Sequence, residues 1–402
     1  MKLNKLMLAI VGVFATTISM AQTIPPLTFQ PIWNPPPLTF QPINSVSAPI
    51  QYEVQTEMLA NKSAMTVGKF GIGLNTSDIY GSNDSRDKGG VIEFTTTGNR
   101  YLGSDVLSAA AWYNLDEDQQ IAFSVSKGLQ LRDSSKGGDF YNGSAIYKKA
   151  HKFGVASIAL DHTSYKVGGE YEGVGLIGNI NTISLGNDIF FSEKLVGSVG
   201  LVHRNSKEDL KINNSYNEQD YSYMTVREIY LDNVGSIAYS VDINYEKGLG
   251  GNNINNPYFD SLKGDLVTNY EFNNGMSWVG TAGFQKSSND TPSANLFYMG
   301  GNTRGSAYST GLVSGPNGVY ISNSLEFNQV DIGNSYIVPF IGYNYAYGEF
   351  ANGKNITLQS AFVGFDYKPS MDSNLNLSYS KEINAYDNVP TDRLKMTLTI
   401  DF

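Results

Sequence analysis

The chain has 402 residues, among them 41 Gly, 26 Tyr and 20 Phe, with no Cys and a formal net charge of -10. An acidic chain offers no electrostatic footprint to a nucleic acid, and the lack of cysteine excludes disulfides, thiolate catalysis and Cys-ligated metals together. A mean hydropathy of -0.24 in so aromatic and turn-rich a chain is unlike a helical globular protein. It suits a transmembrane β-barrel, in which lipid-facing aromatics and aliphatics alternate with polar lumen residues.

Residues 1–21 read as a signal peptide. Lys2 and Lys5 form a short positive region, Met7 to Met20 is apolar or small, and Ser19-Met20-Ala21 gives a signal peptidase its small-x-small site. The run is shorter than the roughly 20 apolar residues of a membrane anchor. Removing the two leader lysines takes the net charge to -12.

Residues 22–60 form a separate proline-rich segment, in which PPLTFQPI occurs twice, at Pro25 to Ile32 and at Pro36 to Ile43. Proline cannot donate to a strand ladder or continue a helix, so the segment is expected to be extended or disordered. Two readings stand: a spacer, or a stiff ligand or plug that presents two Leu-Thr-Phe units.

The rest of the chain, residues 61–402, alternates with a period of two. Ile121, Phe123 and Val125 alternate with Ala122, Ser124 and Ser126, and the same holds from Ile237 to Tyr245, Ile337 to Tyr347, Ala361 to Tyr367 and Leu375 to Tyr379. Such runs are strands with one apolar and one polar face. Turn clusters lie between them at Gly81 to Asp84, Arg132 to Gly138, Asn213 to Asp220, Gly250 to Asn256 and Ser287 to Ser293. At about 20 to 22 residues per strand and connection, this length predicts an all-β, up-and-down antiparallel transmembrane barrel of about 16 strands.

Phe297 to Gly305 reads FYMGGNTRG, one arginine among three glycines. Gly300, Gly301 and Gly305 permit sharp backbone turns around Arg304, whose guanidinium would need a partner inside a lumen. The segment is read as a loop folded into the barrel, against the alternative of an ordinary flexible hairpin. At the C-terminus, Leu394, Met396, Leu398, Ile400 and Phe402 share one face while Lys395, Thr397, Thr399 and Asp401 share the other. A strand that crosses a bilayer and ends the chain on an aromatic resembles the assembly signal of outer-membrane barrels. His151, His162 and His203 lack the spacing of a metalloprotease motif and read as loop or wall residues. No catalytic, metal or cofactor residue is identified, and no enzyme activity is expected.

These residues resemble the two-partner-secretion transporters of the hemolysin secretion/activation (ShlB/FhaC/HecB) family, within the BamA-type superfamily. The core of the resemblance is FYMGGNTRGSAY (Phe297 to Tyr308), similar to a family loop of aromatic, Gly-Gly, spacer, Arg-Gly and aromatic; GVYISNSLEF (Gly318 to Phe327) is similar to the family strand that follows it. Looser similarity covers Gly103 to Tyr113, Tyr165 to Gly186 and Ile337 to Gly348. The resemblance implies a lumen loop carrying Gly300, Gly301, Arg304, Gly305 and Tyr308, with Arg304 held by a wall residue. In the family that partner is an aspartate in an aromatic-Asp-x-Gly pattern, whose matching place here holds Tyr343-Asn344-Tyr345-Ala346. Asn344 is thus the first candidate partner, with Glu326, Glu349 and Asp366 as substitutes. The family also carries two periplasmic POTRA domains, which the short segment before residue 61 cannot contain.

The resemblance implies a barrel in the cell outer membrane of a Gram-negative cell, assembled by the barrel-assembly machinery and passing a secreted exoprotein. The alternative is a superfamily barrel serving as a passive pore, a structural protein or a membrane-remodelling protein.

Overall fold

The computed structural model describes residues 88–401 except 96–104, 117, 130–138, 167–175, 193, 211–214, 253–256, 289–290, 293–294, 309–312, 350–354, 371–372 and 384–391. The leader, the proline-rich segment, the start of the expected barrel and Phe402 lie outside the described residues.

Among the described residues, the period-two runs became strand. The wall begins with β1 (Lys88–Thr95), β2 (Asp105–Asp116), β3 (Gln119–Leu129), β4 (Asp139–His151), β5 (Gly154–Lys166) and β6 (Leu176–Phe190). It continues through β7 (Leu195–Leu210), β8 (Ser215–Val234), β9 (Ile237–Asn252), β10 (Asp260–Glu271) and β11 (Ser277–Ser287). Two short strands, β12 (Phe297–Met299) and β13 (Val313–Gly315), form a separate two-stranded sheet. The wall resumes with β14 (Asn317–Glu326), the short β15 (Val330–Ile332), β16 (Ser335–Glu349), β17 (Asn355–Ser370), β18 (Ser373–Glu382) and β19 (Asp392–Asp401).

All wall pairings are antiparallel and, apart from the closing pair β1–β19, join neighbours along the wall, with β11 joined to β14 and β14 to β16 across the inserted pieces. The ring closes because β1 pairs with β2 on one edge and with β19 on the other, from Val91↔Asp401 to Thr95↔Thr397. Setting aside β15, which caps the β14–β16 hairpin, the described residues supply 16 wall strands. Closure leaves no backbone edge to be satisfied in hydrocarbon.

Connections at one end include two-residue turns, Lys152-Phe153 and Gly235-Ser236, and most of those at the other are longer. In outer-membrane barrels the short-turn end is periplasmic. Gly235 (φ 62°), Gly275 (φ 84°) and Gly333 (φ 63°) supply the left-handed backbone that three of these turns require.

Two expected turn clusters are partly strand. β8 begins at Ser215 and β9 runs to Asn252, so most of Asn213 to Asp220 and the start of Gly250 to Asn256 lie in ladders. β8 has 20 residues where about 10 suffice to cross a bilayer. The excess continues the β7–β8 hairpin into water, where polar side chains pair across strands as readily as apolar ones do in lipid.

Candidate functional site

The segment between β11 and β14 turns inward and lies against the lumen wall. Its first anchor is Asn295, which is fully buried. Asn295 Nδ2 donates to Glu246 Oε2 on β9 (2.8 Å), its Oδ1 accepts from the Tyr221 hydroxyl on β8 (3.2 Å), and its carbonyl accepts from Gln285 on β11. Lys263 on β10 completes the network through Glu246 (2.6 Å).

Beyond Asn295 the chain forms the β12–β13 hairpin. Phe297, Met299, Ala307 and Tyr308 pack in one buried cluster with Tyr320 of β14, Ala346 of β16 and Leu358 of β17. Phe297 has a seat because position 318 is glycine: a Cβ there would overlap its ring. The tip then reverses through Gly300 (φ 97°), Gly301 (φ 80°) and Gly305 (φ 124°), conformations that L side chains resist. The turn is closed by Gly300 N–H to Arg304 O (3.0 Å) and Gly301 N–H to Tyr308 O (3.0 Å).

Arg304 sits between two rings, its guanidinium carbon 4.7 Å from the centroid of Phe297 and 4.5 Å from that of Tyr320. Its Nη1 donates to the Tyr298 carbonyl (3.2 Å). One ring belongs to the hairpin and the other to the wall, so the cation joins two elements. The carboxylate that faces Arg304 electrostatically is Asp265 of β10, which accepts from the Tyr320 hydroxyl (2.6 Å). Asp265, Gly283 and Tyr320 are in register across β10, β11 and β14. A Cβ at Gly283 would overlap both of the other side chains, so this glycine lets the phenol reach the acid.

The four expected partners of Arg304 are placed as follows. Asn344 is fully buried and grips the loop, but through Ser306: its Oδ1 accepts from Ser306 N–H (3.1 Å) and its Nδ2 donates to Ser322 Oγ (2.8 Å). Ser306 Oγ also meets Ser360 Oγ of β17 (3.2 Å). Glu326 accepts from Ser277 Oγ (2.8 Å) and Asp366 from Asn376 Nδ2 (2.9 Å); both line a chamber beneath the loop tip, across from Arg393 and Lys395 of β19. Glu349 is exposed at the end of β16. The reason is geometric, since Arg304 turns toward the β10–β14 side of the loop while Asn344 lies on the β16 side.

Tyr308 ends the loop. Its hydroxyl donates to Glu382 Oε2 of β18 (3.1 Å), and its carbonyl accepts from Arg393 Nη1 of β19 (3.5 Å). The segment from Asn295 to Tyr308 is thus pinned at wall strands from β8 round to β19. Of the C-terminal residues, Leu394 and Ile400 are exposed on the outer face, Met396 and Leu398 are half-buried, and Arg393, Lys395 and Thr397 are buried on the lumen side.

A family description, haemolysin secretion/activation protein ShlB/FhaC/HecB, matches residues 192–366, from the turn before β7 to Asp366 and including the whole lumen segment. Among solved structures, CdiB from Acinetobacter baumannii is similar with a TM-score of 0.65 at 16% identity, covering 79% of this chain and 60% of that one. CdiB from Escherichia coli gives 0.67 at 13% identity, over 79% and 63%. BamA from Haemophilus ducreyi lacking POTRA domains 1-3 gives 0.58 at 12% identity, over 78% and 70%. This chain therefore spans less than two thirds of either CdiB. At such identities the likeness establishes the fold alone. No curated protein matches the sequence.

Proposed function

We propose that the chain is an outer-membrane barrel of the haemolysin secretion/activation type, whose family description matches residues 192–366, and that it serves as a two-partner-secretion pore that passes an unfolded exoprotein outward. The segment from Asn295 to Tyr308 is its gate, with Gly300, Gly301 and Gly305 as the turn and Arg304 and Tyr308 as the latches. The observation that carries this reading is the Arg304 cage, in which one cation is shared between a movable hairpin ring and a fixed wall ring. Such a joint is reversible: the hairpin leaves the wall without breaking any barrel ladder, whose hydrogen bonds run between other strands. The work is binding and conduction, without bond chemistry.

Leu394, Met396, Leu398, Ile400 and Phe402 would present the finished chain to the barrel-assembly machinery. Residues 1–21 would be cleaved and residues 22–60 would precede the barrel.

The test compares proteins in the medium of cells with and without the gene. A transporter predicts that one large exported polypeptide disappears, returns with the wild-type gene and stays absent with Arg304→Ala. Unchanged secreted proteins together with altered uptake of small solutes would establish the passive pore instead.

A further inference from the structure

The segment from Asn295 to Tyr308 rests on wall strands from β8 round to β19, so the inner face of β3–β6 borders the part of the lumen that the gate leaves. Inward positions there carry small side chains, Ala122 and Ser124 on β3, Ser144 on β4 and Ala159 on β5, which keeps room for a chain close to the wall.

Gln120 of β3 and Lys148 of β4 stand opposite one another in register, both turned inward and almost wholly buried, with 1% and 2% of their surface exposed. Residues so opposed bring their Cβ atoms within about 5 Å. Yet Gln120 Oε1 and Lys148 Nζ meet no hydrogen-bond partner among the described residues, not even each other. Gln120 Nε2 donates to Asn114 Oδ1 (3.0 Å), which leaves the oxygen as the unused end of the amide. Asp188 of β6 attracts the Lys148 ammonium but takes its own hydrogen bond from Ser198 Oγ. A buried donor and a buried acceptor left unused are each costly, so a group that supplies both partners at once is bound well.

Two more such atoms continue the line. Lys148 is in register with Ser157 and, beyond it, Gly186. Two residues further from the short-turn end stands Ser184 of β6, opposite Ala159, and two further again stands Asp161 of β5, opposite Thr182; the buried Ser184 Oγ and Asp161 Oδ1 also lack a partner among the described residues. Each step is about 6.6 Å, the repeat at which an extended polypeptide presents peptide groups on one side. Lys148 lies just before the Lys152-Phe153 turn, so the line begins roughly 10 Å inside the periplasmic mouth.

The donor and acceptor set selects the occupant. A carboxylate would meet Lys148 but turn its lone pairs on Gln120 Oε1 and Asp161 Oδ1, and a cation would oppose the ammonium. A peptide group offers an acceptor to Lys148 and a donor to Gln120. We propose that the inner face of β3–β6 is a peptide-binding track, entered at Gln120 and Lys148, that holds an extended polypeptide by its backbone amides. Such a track deepens the pore reading on which it rests, by giving the moving chain a place in the lumen.

The test records single-channel blockades in planar bilayers, using the full chain with an uncharged Gly-Ser-Asn repeat peptide added on the short-turn side. Polyethylene glycol of equal mass is the control, since it has no donor for Gln120 or Asp161. Lys148→Met is expected to shorten peptide dwell time about fivefold or more and to leave polymer dwell time unchanged, while Gln120→Met and Ser184→Ala each shorten it about two- to fivefold. Wild-type peptide dwell times in these variants would overturn the proposal, as would equal shortening for peptide and polymer. Should Lys148→Met not insert, the other two variants decide. The peptide groups come either from an incoming chain or from residues 22–60 of this one. Deleting residues 25–43 separates the sources: a severalfold rise in blockade frequency shows that this segment competes for the track, and an unchanged frequency assigns it to the incoming chain. Gene-dependent secreted proteins with dwell times indifferent to Lys148 would sink the track and keep the pore; Lys148-dependent dwell times with an unchanged medium would do the opposite.

Discussion

Among the described residues, two arginines of the barrel lie between aromatic rings, and they differ in what the rings belong to. Arg204 of β7 is buried between Tyr221 and Tyr223, 5.9 Å from each centroid, and donates to the Tyr221 hydroxyl (3.2 Å). Both rings are on the neighbouring strand β8, which is already tied to β7 along a long ladder. Arg304 has the same surroundings, but one ring is on the hairpin and the other on the wall. The same contact is therefore structural filling in one place and a latch in the other, because only at Arg304 can the two halves part without breaking strand pairing.

The largest effect expected from breaking this contrast is that of Arg304→Ala. Two cation–π contacts and a hydrogen bond amount to about 2 to 3 kcal/mol at such a site, which shifts the open fraction of the hairpin by about thirty- to a hundred-and-fifty-fold. Planar-bilayer recordings should show longer open times, while heat-modifiability shows normal insertion. Arg204→Met should do the reverse, lowering the thermal midpoint of the barrel and leaving conductance alone. Equal conductance changes in both variants would erase the distinction.

Next in size is Gly318→Ala. The added methyl takes the seat of Phe297, so the hairpin must shift by the overlap or lose one face of the Arg304 cage, at about 1 to 3 kcal/mol. Open times should rise as with Arg304→Ala, and combining the two changes should add little, since both remove one joint. Full additivity would mean that Phe297 and Arg304 act separately.

Asp265→Asn is expected to be smaller. The amide still accepts from Tyr320, but the charge that faces Arg304 is gone, and nearby Asp242 loses a like-charged neighbour. We expect a severalfold rise in open time at low salt that vanishes as ionic strength increases. An effect independent of salt would remove Asp265 from the latch.

The two kinds of result were unequally legible in the sequence. Alternation is local, so the runs at Ile121, Ile237 and Ile337 announced β3, β9 and β16, and the strand count followed from length. The hairpin was legible for the same reason, since its three glycines and arginine lie within six residues. Its surroundings were not. Asp265 acquires meaning only when the ladders bring it into line with Gly283 and Tyr320, three residues separated by long stretches of chain. Asn295 was missed because a buried asparagine and a turn asparagine look alike until the wall supplies Glu246 and Tyr221. The polar run at Asn213 to Asp220 read as turn because nothing in linear order tells a strand continuing into water from a loop.

The smallest change that tests the latch is Tyr308→Phe. The ring remains in its cluster with Leu358, Ala346 and Met299, and the backbone carbonyl still accepts from Arg393. Only the bond to Glu382 is lost, at about 1 kcal/mol, so open time should rise about fivefold. Glu382→Gln keeps an acceptor for the hydroxyl and should fall between wild type and Tyr308→Phe. If instead Tyr308→Phe opens the pore as widely as Arg304→Ala, the hairpin is held chiefly at its β18 end, and the shared ring cage is packing there just as it is around Arg204.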